Sequence, residues 1–290
     1  MTPRLSQHFL HDRNVAARIA DAVAAPPGAR VVEIGPGRGA LTEPLLERGY
    51  RVSAIELDSD LAAELRRRWA GREELRVVEG DALDVPLPAT GPEDPVWVVG
   101  NLPYAVTSPL LFRVLEQIER AAVRGMVFMI QREVAERLAG EPGTKAYGAL
   151  TVGVQLVADV EILFDVGAGA FQPPPGVVST VVRLLPHDRY GLDPARRRRV
   201  RSLVQALFGQ RRKQIQKSLR TLEGWGLERA EVARVARVSG LDLARRPETL
   251  SPAEFLALEA GLGPGVFSTP EGSWRGEAAD PARPSNRPEV

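Results

Sequence analysis

The first two-thirds of this 290-residue chain alternate short apolar runs with segments of helical periodicity, and this alternation restricts the fold more than any other feature. Helical spacing occurs at 40–48 and 60–69, each after an apolar run. Strands that alternate with helices predict a doubly wound α/β domain with a parallel sheet. The predicted buried strands are 31–34, 52–55, 75–78, 96–99 and 126–130. Runs at 160–164 and 177–185 predict further strands at a sheet edge, where antiparallel pairing is an option.

The pattern changes after residue 187. Apolar residues recur at helical spacing through 195–222, with a break near Gly209, and again through 230–238 and 252–260. The last 28 residues contain five Pro and four Gly and few aliphatic residues, a composition that favours disorder. We therefore predict three parts: an α/β domain at 1–187, a small helical domain at 188–262 and a disordered tail at 263–290.

Charge is distributed unevenly along the chain. The formal net charge is +1, but the window 188–220 holds eleven Arg and Lys against two Asp. That window carries +9, so the remaining 257 residues sum to −8. A concentrated basic segment of this kind favours contact with nucleic-acid phosphates, and the alternative is a solvated helical face.

Composition excludes several classes of protein. The chain has no cysteine and only three histidines, which excludes disulfides and thiolate catalysis and disfavours a histidine-rich metal site. No apolar run is long enough to span a membrane, and the first residues lack the apolar core of a secretory signal. We therefore expect a cytoplasmic protein without a resident metal.

A glycine-rich turn, two acidic residues and an asparagine follow four successive predicted strands. The run V-V-E-I-G-P-G-R-G places Gly35 and Gly37 in a turn between a strand and a helix. Glu56 ends the second strand, Asp81 follows the third, and Asn101 follows the fourth. In open α/β sheets, ligands bind outside the carboxyl ends of the strands. A carboxylate at Glu56 can accept from a ribose diol, and Asp81 from an adenine amine, so we predict an adenosine-containing cofactor. At this point NAD and S-adenosylmethionine both remain open.

The tetrapeptide Asn101-Leu102-Pro103-Tyr104 indicates the reaction. The N6 amine of adenine is a poor nucleophile because its lone pair is delocalised into the ring. An asparagine oxygen and the Leu102 carbonyl can each accept one N–H bond from that amine, while Pro103 supplies rigidity and Tyr104 a face for stacking. Because a sulfonium is already an excellent leaving group, positioning suffices and no strong base is needed. Ser108 and Pro109 are predicted to cap and begin the following helix.

These residues, with Gln7-His8-Phe9-Leu10 and the turn at 33–37, resemble the ribosomal RNA adenine N6,N6-dimethyltransferases, in particular the small-subunit (KsgA/RsmA) type. The resemblance implies a Rossmann-like methyltransferase domain that uses S-adenosylmethionine to dimethylate two adjacent adenines in a hairpin loop near the 3′ end of 16S rRNA. It further implies the small-subunit rRNA of an immature 30S particle as partner, a monomeric enzyme, and a helical domain that orients the RNA.

The resemblance also implies residue roles. The cofactor would be held by Gln7, His8, Leu10, Gly35, Gly37, Glu56, Asp81, Ala82 and Asn101. The reaction would be carried by Asn101, Leu102, Pro103 and Tyr104. Phe171, in a loop similar to the family's Phe-x-Pro-x-Pro-x-Val-x-Ser segment, would be a second aromatic beside the target base. The Arg211-Arg212-Lys213 element would bind RNA.

Three alternatives remain from the sequence. An Erm-type enzyme would share the catalytic domain but dimethylate one adenine of 23S rRNA and confer macrolide resistance. A non-catalytic RNA-binding factor of the same fold is disfavoured by the intact tetrapeptide. An NAD-dependent oxidoreductase is disfavoured because the third glycine of the turn comes one residue early for a dinucleotide fingerprint.

Overall fold

The structure is a computed structural model that describes residues 8–88, 93–118, 122–222 and 226–263. The strands in these ranges are β1 (Phe9–Leu10), β2 (Arg30–Ile34), β3 (Arg51–Glu56), β4 (Leu75–Glu79), β5 (Val96–Asn101), β6 (Val123–Gln131), β7 (Ala158–Val166), β8 (Phe171–Gln172) and β9 (Ser179–Pro186). The helices are α1 (Arg13–Asp21), α2 (Thr42–Glu47), α3 (Ser59–Arg68), α4 (Thr107–Glu116), α5 (Arg132–Leu138), α6 (Ala149–Gln155), α7 (Pro194–Gly209), α8 (Ile215–Thr221), α9 (Arg229–Ser239) and α10 (Pro252–Leu262).

Seven of these strands form one sheet in the order β4-β3-β2-β5-β6-β9-β7. The five strands β4, β3, β2, β5 and β6 are mutually parallel. Strand β9 runs antiparallel to both β6 and β7. The predicted α/β fold is therefore confirmed, including the five parallel strands. The prediction of edge strands is right for β7 but wrong for β9, which lies inside the sheet because its apolar residues Val181 and Val182 are fully buried between two neighbours.

The order of the strands creates a crevice. The chain leaves β2 toward β3 on one side and returns to β5 on the other, so the sheet changes direction between β2 and β5. Ligands bind at such a switch point in open α/β sheets. The glycine-rich turn and the tetrapeptide at 101–104 follow β2 and β5, so both lie at this crevice.

Helix α4 begins two residues earlier than its sequence signal indicates, at Thr107 rather than Pro109. A 3₁₀ turn at Tyr104–Val106 runs directly into the helix, and the Thr107 hydroxyl donates to the Pro103 carbonyl at 3.1 Å. Ser108 consequently lies within the first helical turn, and its predicted role as the N-cap is wrong. The turn takes over the capping because it already directs the chain into the helix.

The helices beyond residue 187 pack on the same core as the sheet. The predicted boundary falls between β9 and α7, yet Leu203, Leu207 and Phe255 belong to one apolar cluster with Leu111 and Phe128 of the α/β part. The predicted break near Gly209 coincides with the end of α7. The predicted tail at 263–290 lies outside the described residues apart from Gly263.

Arg211 connects the two parts of the chain. Its Nε donates to Glu248 at 2.5 Å, and its two terminal nitrogens donate to the carbonyls of Lys145 and Thr144 at 3.2 and 3.1 Å. Nearby, the buried hydroxyl of Tyr147 donates to the Leu250 carbonyl at 2.6 Å. These bonds fix the 144–147 loop of the α/β part against the turn that precedes α10.

Candidate active site

A cavity of about 770 Å³ opens at the carboxyl ends of β2, β3, β4 and β5. Most of the residues singled out in the sequence line it, although they come from segments far apart in the chain. These lining residues are His8, Leu10, Gly35, Gly37, Glu56, Asp81, Ala82, Asn101, Leu102, Pro103 and Tyr104. Gln7 lies outside the described residues. The volume suits a ligand of nucleoside size.

The glycine-rich turn forms one wall of this cavity. Gly35 and Gly37 have φ values of +65° and +55°, in the left-handed region that favours glycine. A Cβ on Gly37 would lie 3.1 Å from the Phe9 ring, which is tighter than ordinary contact. A Cβ on Gly35 would meet no atom within 4 Å, so the backbone there faces open space in the cavity.

Glu56 forms a fixed acceptor beside the turn. Its side chain is buried, and its two carboxylate oxygens accept from the backbone amides of Gly37 and Asp58, each at 2.9 Å. Because a carboxylate has about four acceptor positions, two of them remain for a ligand. Asp81 is held in a similar way, since its Oδ1 accepts from the Leu83 amide at 2.8 Å.

Glu33 is a second buried carboxyl at this wall, and the sequence reasoning assigned it no role. It is 1% exposed, lines the cavity and accepts from the Thr42 hydroxyl at 2.7 Å. Burial, opposed by this bond and assisted by the nearby charge of Glu56, raises the pKa of Glu33 from 4.5 to about 8. A carboxylate within an otherwise apolar strand was the available signal.

We expect Glu33→Gln to stabilise the protein in a pH-dependent way. Below about pH 4.5 Glu33 is protonated in both folded and unfolded chains, so the two proteins should differ least there. As pH rises toward 8, the unfolded wild-type chain loses its proton more readily than the folded one, and wild-type stability falls relative to the variant by a few kcal/mol. Denaturant titrations from pH 4.5 to 8.5 measure this difference. The exposed Glu47→Gln is the control, and a gap that does not change with pH would contradict the expectation.

The tetrapeptide presents two acceptors toward the cavity. Asn101 Nδ2 donates to the His8 carbonyl at 3.2 Å, and among the described residues nothing donates to Asn101 Oδ1 or to the Leu102 carbonyl. The Pro103 carbonyl, by contrast, accepts from the Val106 amide and the Thr107 hydroxyl. The amide oxygen of Asn101 and the carbonyl of Leu102 are therefore the acceptors left for a ligand.

A smaller depression of about 340 Å³ adjoins the cavity. It shares His8, Pro103 and Tyr104 with the large cavity, and Gln131 and Val177 complete part of its wall. The Tyr104 hydroxyl shares a 2.7 Å hydrogen bond with Ser179 Oγ, which fixes the ring at this boundary. Pro103 and Tyr104 thus lie between two spaces, one large enough for a cofactor and one for a single base, whereas Asn101 and Leu102 line the large cavity.

Phe171 is buried in the core of this structure. It is 3% exposed, pairs with Leu10 across β8 and β1, and packs in an apolar cluster with Met129 and Val166. Its side chain lines neither of the two spaces described above. In this structure the ring of Phe171 contributes to the core, and its stacking on a target base stays a prediction.

The basic segment is partly neutralised inside the protein. Arg196 and Arg199 both pair with the buried carboxylate of Glu259, at 3.0 and 2.8 Å, and Arg201 pairs with Glu116. Arg211, predicted to bind RNA, is instead paired with Glu248. Arg189 is exposed but pairs with Asp159, and the other exposed cations of the segment are Arg198, Arg212, Lys213, Lys217 and Arg220. The surface suited to phosphates is therefore narrower than the charge count indicates.

The described residues contain neither a membrane-spanning helix nor a metal-binding cluster. No helix there is long and apolar enough to cross a membrane. No group of three or more His, Asp or Glu side chains in those ranges is arranged to hold a metal ion.

Comparison with known proteins gives a consistent result. The family model for ribosomal RNA adenine dimethylase matches residues 1–258. A ribosomal RNA small subunit methyltransferase A from Methylococcus capsulatus is 42% identical over 261 residues, which cover 90% of this chain and 97% of that protein.

Two solved structures share the fold over most of both chains. A dimethyladenosine transferase from Plasmodium falciparum superposes with a TM-score of 0.71 at 25% identity, covering 87% of this chain and 96% of that one. The 23S rRNA methyltransferase ErmE superposes with a TM-score of 0.67 at 30% identity, covering 88% and 99%. The doubly wound methyltransferase fold predicted from the sequence is thereby confirmed.

Proposed function

This chain belongs to the ribosomal RNA adenine dimethylase family, and from that premise we propose that it converts two adjacent adenines of a small-subunit rRNA hairpin loop to N6,N6-dimethyladenine. S-adenosylmethionine is the methyl donor in this proposal, and the partner is the rRNA of an immature small-subunit particle in the cytoplasm. The observation that carries the proposal is that residues 101–104 line a nucleoside-sized cavity, while Pro103 and Tyr104 also line an adjoining base-sized depression.

The residues around the large cavity fit an adenosyl cofactor. Two acceptor positions remain on the buried Glu56 carboxylate, as a ribose diol requires. Asp81 and Ala82 lie at the end of β4, where Asp81 can accept from an adenine amine. The open space above Gly35 accommodates a ligand that approaches the backbone. When bound, S-adenosylmethionine supplies an electrophilic methyl group on a sulfonium.

Asn101 and Leu102 orient the target amine. Their unfilled acceptors, Asn101 Oδ1 and the Leu102 carbonyl, can each take one N–H of an adenine N6 amine. Two N–H bonds directed at the protein favour a pyramidal nitrogen whose lone pair points away from both acceptors, toward the cofactor cavity. The chain thereby contributes orientation, which accounts for a large share of catalysis in transfers that need no strong base.

Tyr104 and the smaller depression hold the base. The ring of Tyr104 is held through its hydroxyl by Ser179, so its face is a fixed platform for stacking. Stacking of one base on an aromatic side chain contributes about 1–3 kcal/mol, which offsets part of the cost of extracting an adenine from a loop. A depression of about 340 Å³ also leaves room for the methyl group of the N6-methyladenine intermediate.

RNA contact is assigned to the exposed cations rather than to Arg211. Arg212 and Lys213 are exposed on the turn between α7 and α8, whereas the guanidinium of Arg211 is used by Glu248 and two carbonyls. Phosphate contacts of this kind position an RNA without reading its sequence.

Variants of this element should separate its two roles. Arg212→Ala with Lys213→Ala should leave the melting temperature unchanged and lower the slope of log affinity against log salt by about 2 units, because about one counterion is released per phosphate contact. Arg211→Ala should lower the free energy of unfolding by about 1–2 kcal/mol, since it removes a partly exposed ion pair and two carbonyl bonds. Salt-dependent RNA binding and denaturant titration measure the two effects. Equal losses of RNA affinity in both variants would contradict this division.

The substrate panel tests the proposal. Tritiated S-adenosylmethionine is offered with immature small-subunit particles, large-subunit RNA and the two naked RNAs. We expect incorporation into the small subunit only, which agrees with the name of the Methylococcus relative. Incorporation confined to large-subunit RNA would instead support the Erm-type alternative, of which ErmE is a structural relative.

A further inference from the structure

Residues 8–11 form the N-terminal strap, and three of them, His8, Phe9 and Leu10, line the large cavity. Phe9 and Leu10 pair antiparallel with β8, and the His11 amide donates to the Ala170 carbonyl at 2.9 Å. The imidazole Nδ1 of His8 lies 2.8 Å from the Pro173 carbonyl. Because a carbonyl only accepts, Nδ1 must carry the proton in this bond.

The strap also contacts the glycine-rich turn on the opposite side. The Phe9 ring packs so closely on Gly37 that a Cβ there would lie 3.1 Å away, and the Arg38 guanidinium lies 4.9 Å from the centre of the same ring. The strap therefore lies between the glycine-rich turn on one side and β8 with its flanking residues on the other. Its position depends on bonds at both ends, and the His8 imidazole supplies the one nearest the tetrapeptide.

The main-chain carbonyl of His8 holds the side chain of Asn101. Asn101 Nδ2 donates to it at 3.2 Å. Because the His8 carbonyl can only accept a hydrogen bond, the NH₂ end of the Asn101 carboxamide must face the strap. Because the carboxamide is planar, fixing Nδ2 against His8 also fixes the direction of Oδ1, the acceptor assigned above to the target amine.

We propose that His8 is a positioning residue, whose imidazole anchors the strap to Pro173 so that the His8 carbonyl holds Asn101 with Oδ1 toward the target amine. This inference rests on the proposed function for the role of Asn101. The coupling itself rests on two hydrogen bonds of the same residue: His8 Nδ1 to the Pro173 carbonyl, and Asn101 Nδ2 to the His8 carbonyl. In this proposal, the orientation of the Asn101 amide depends on the position of the strap.

Two substitutions separate the hydrogen bond from the bulk of the side chain. His8→Ala removes the donor to Pro173. His8→Asn keeps a donor at the same number of bonds from Cα, because asparagine Nδ2 and histidine Nδ1 are both attached to Cγ. A purely steric role for the imidazole predicts that both variants fail, whereas a positioning role predicts that asparagine restores function.

The asparagine content of the chain offers a direct readout. There are only three asparagines, Asn14, Asn101 and Asn286, so selective ¹⁵N labelling of asparagine side chains gives three NH₂ pairs in an NMR spectrum of the wild type or His8→Ala. His8→Asn adds a fourth pair, which is absent from both other spectra. Magnetisation transfer from water measures how fast each pair exchanges. Asn14, exposed on α1, is the internal control, and the pair missing from an Asn101→Ala sample identifies Asn101.

We expect the Asn101 pair to exchange about tenfold faster in His8→Ala than in the wild type, and His8→Asn to restore slow exchange to within about twofold. The Asn14 pair should not change. With saturating cofactor, single-turnover methylation should slow about tenfold in His8→Ala and recover in His8→Asn, while affinity for S-adenosylhomocysteine changes far less. Unaltered exchange in His8→Ala, or failure of His8→Asn to restore it, would overturn the proposal. The exchange measurement needs no RNA, so it stands apart from any failure of the proposed substrate.

Discussion

Replacing Asn101 by alanine should lower the single-turnover rate of methyl transfer about 100- to 1000-fold while cofactor affinity stays within a few-fold of the wild type. Loss of one preoriented hydrogen-bonding group in an active site typically has an effect of this size. The variant removes the Oδ1 acceptor and leaves the Leu102 carbonyl alone to orient the amine. Rapid-quench measurements with saturating small-subunit particles give the rate, and titration with S-adenosylhomocysteine gives the affinity.

The matched control for this substitution is Asn14→Ala. Asn14 is exposed on α1, and its side chain takes no part in the site. We expect its rate and affinity to equal those of the wild type. An Asn101→Ala enzyme with wild-type turnover would remove the amide from the reaction, and a loss confined to cofactor affinity would make Asn101 a cofactor ligand only.

Replacing Glu56 by alanine should weaken cofactor binding about 100-fold. Hydrogen bonds to a charged group contribute roughly 1.5–3 kcal/mol each, so at the lower end of this range losing two ribose contacts corresponds to about two powers of ten in affinity. The variant also frees the Gly37 and Asp58 amides, which the carboxylate now binds at 2.9 Å. Calorimetric titration with S-adenosylhomocysteine measures the loss, and thermal unfolding checks that the fold persists.

Glu56→Gln sharpens the interpretation. Glutamine keeps one oxygen but replaces the other by an NH₂ group, which cannot accept from either backbone amide. We therefore expect Glu56→Gln to lose cofactor affinity relative to the wild type, either less or more than Glu56→Ala does, and not to restore it. Glu64→Ala, exposed on α3, is the control. Wild-type affinity in both Glu56 variants would contradict the placement of the ribose.

The crevice could be predicted because the ends of the strands follow from patterns within the sequence. Gly35, Glu56, Asp81 and Asn101 each follow an apolar run, and the carboxyl ends of parallel strands meet at one edge. Neither step requires knowledge of which side chains touch. The position of the tetrapeptide beside the glycine-rich turn follows from the same rule.

The partners of individual side chains could not be predicted in this way. Arg211 pairs with Glu248, 37 residues later, and Arg196 pairs with Glu259, 63 residues later. A charge count along the chain contains no information about such distant partners. For the same reason, the sequence motif that contains Phe171 could be recognised, but the packing of its ring in the core could not be predicted.

Glu33 illustrates a different limit. Its position in an apolar strand signals burial, but whether a buried carboxyl is protonated depends on the hydrogen bonds and charges around it. Here burial raises the pKa of Glu33 most, the bond from the Thr42 hydroxyl opposes that rise, and the charge of Glu56 adds to it; Thr42 and Glu56 both come from other elements. The raised pKa of Glu33 is therefore a result of the fold rather than of the local sequence.

The identity and position of the product nucleoside test the central claim most directly. After exhaustive methylation of immature small-subunit particles, nuclease digestion and mass spectrometry of the rRNA should show two consecutive N6,N6-dimethyladenosines in one hairpin loop. The Asn101→Ala enzyme should leave both adenines unmethylated on the same timescale. Methyl groups on ribose oxygens, on another base or only in large-subunit RNA would contradict the account, because the site described here presents two acceptors for an adenine amine.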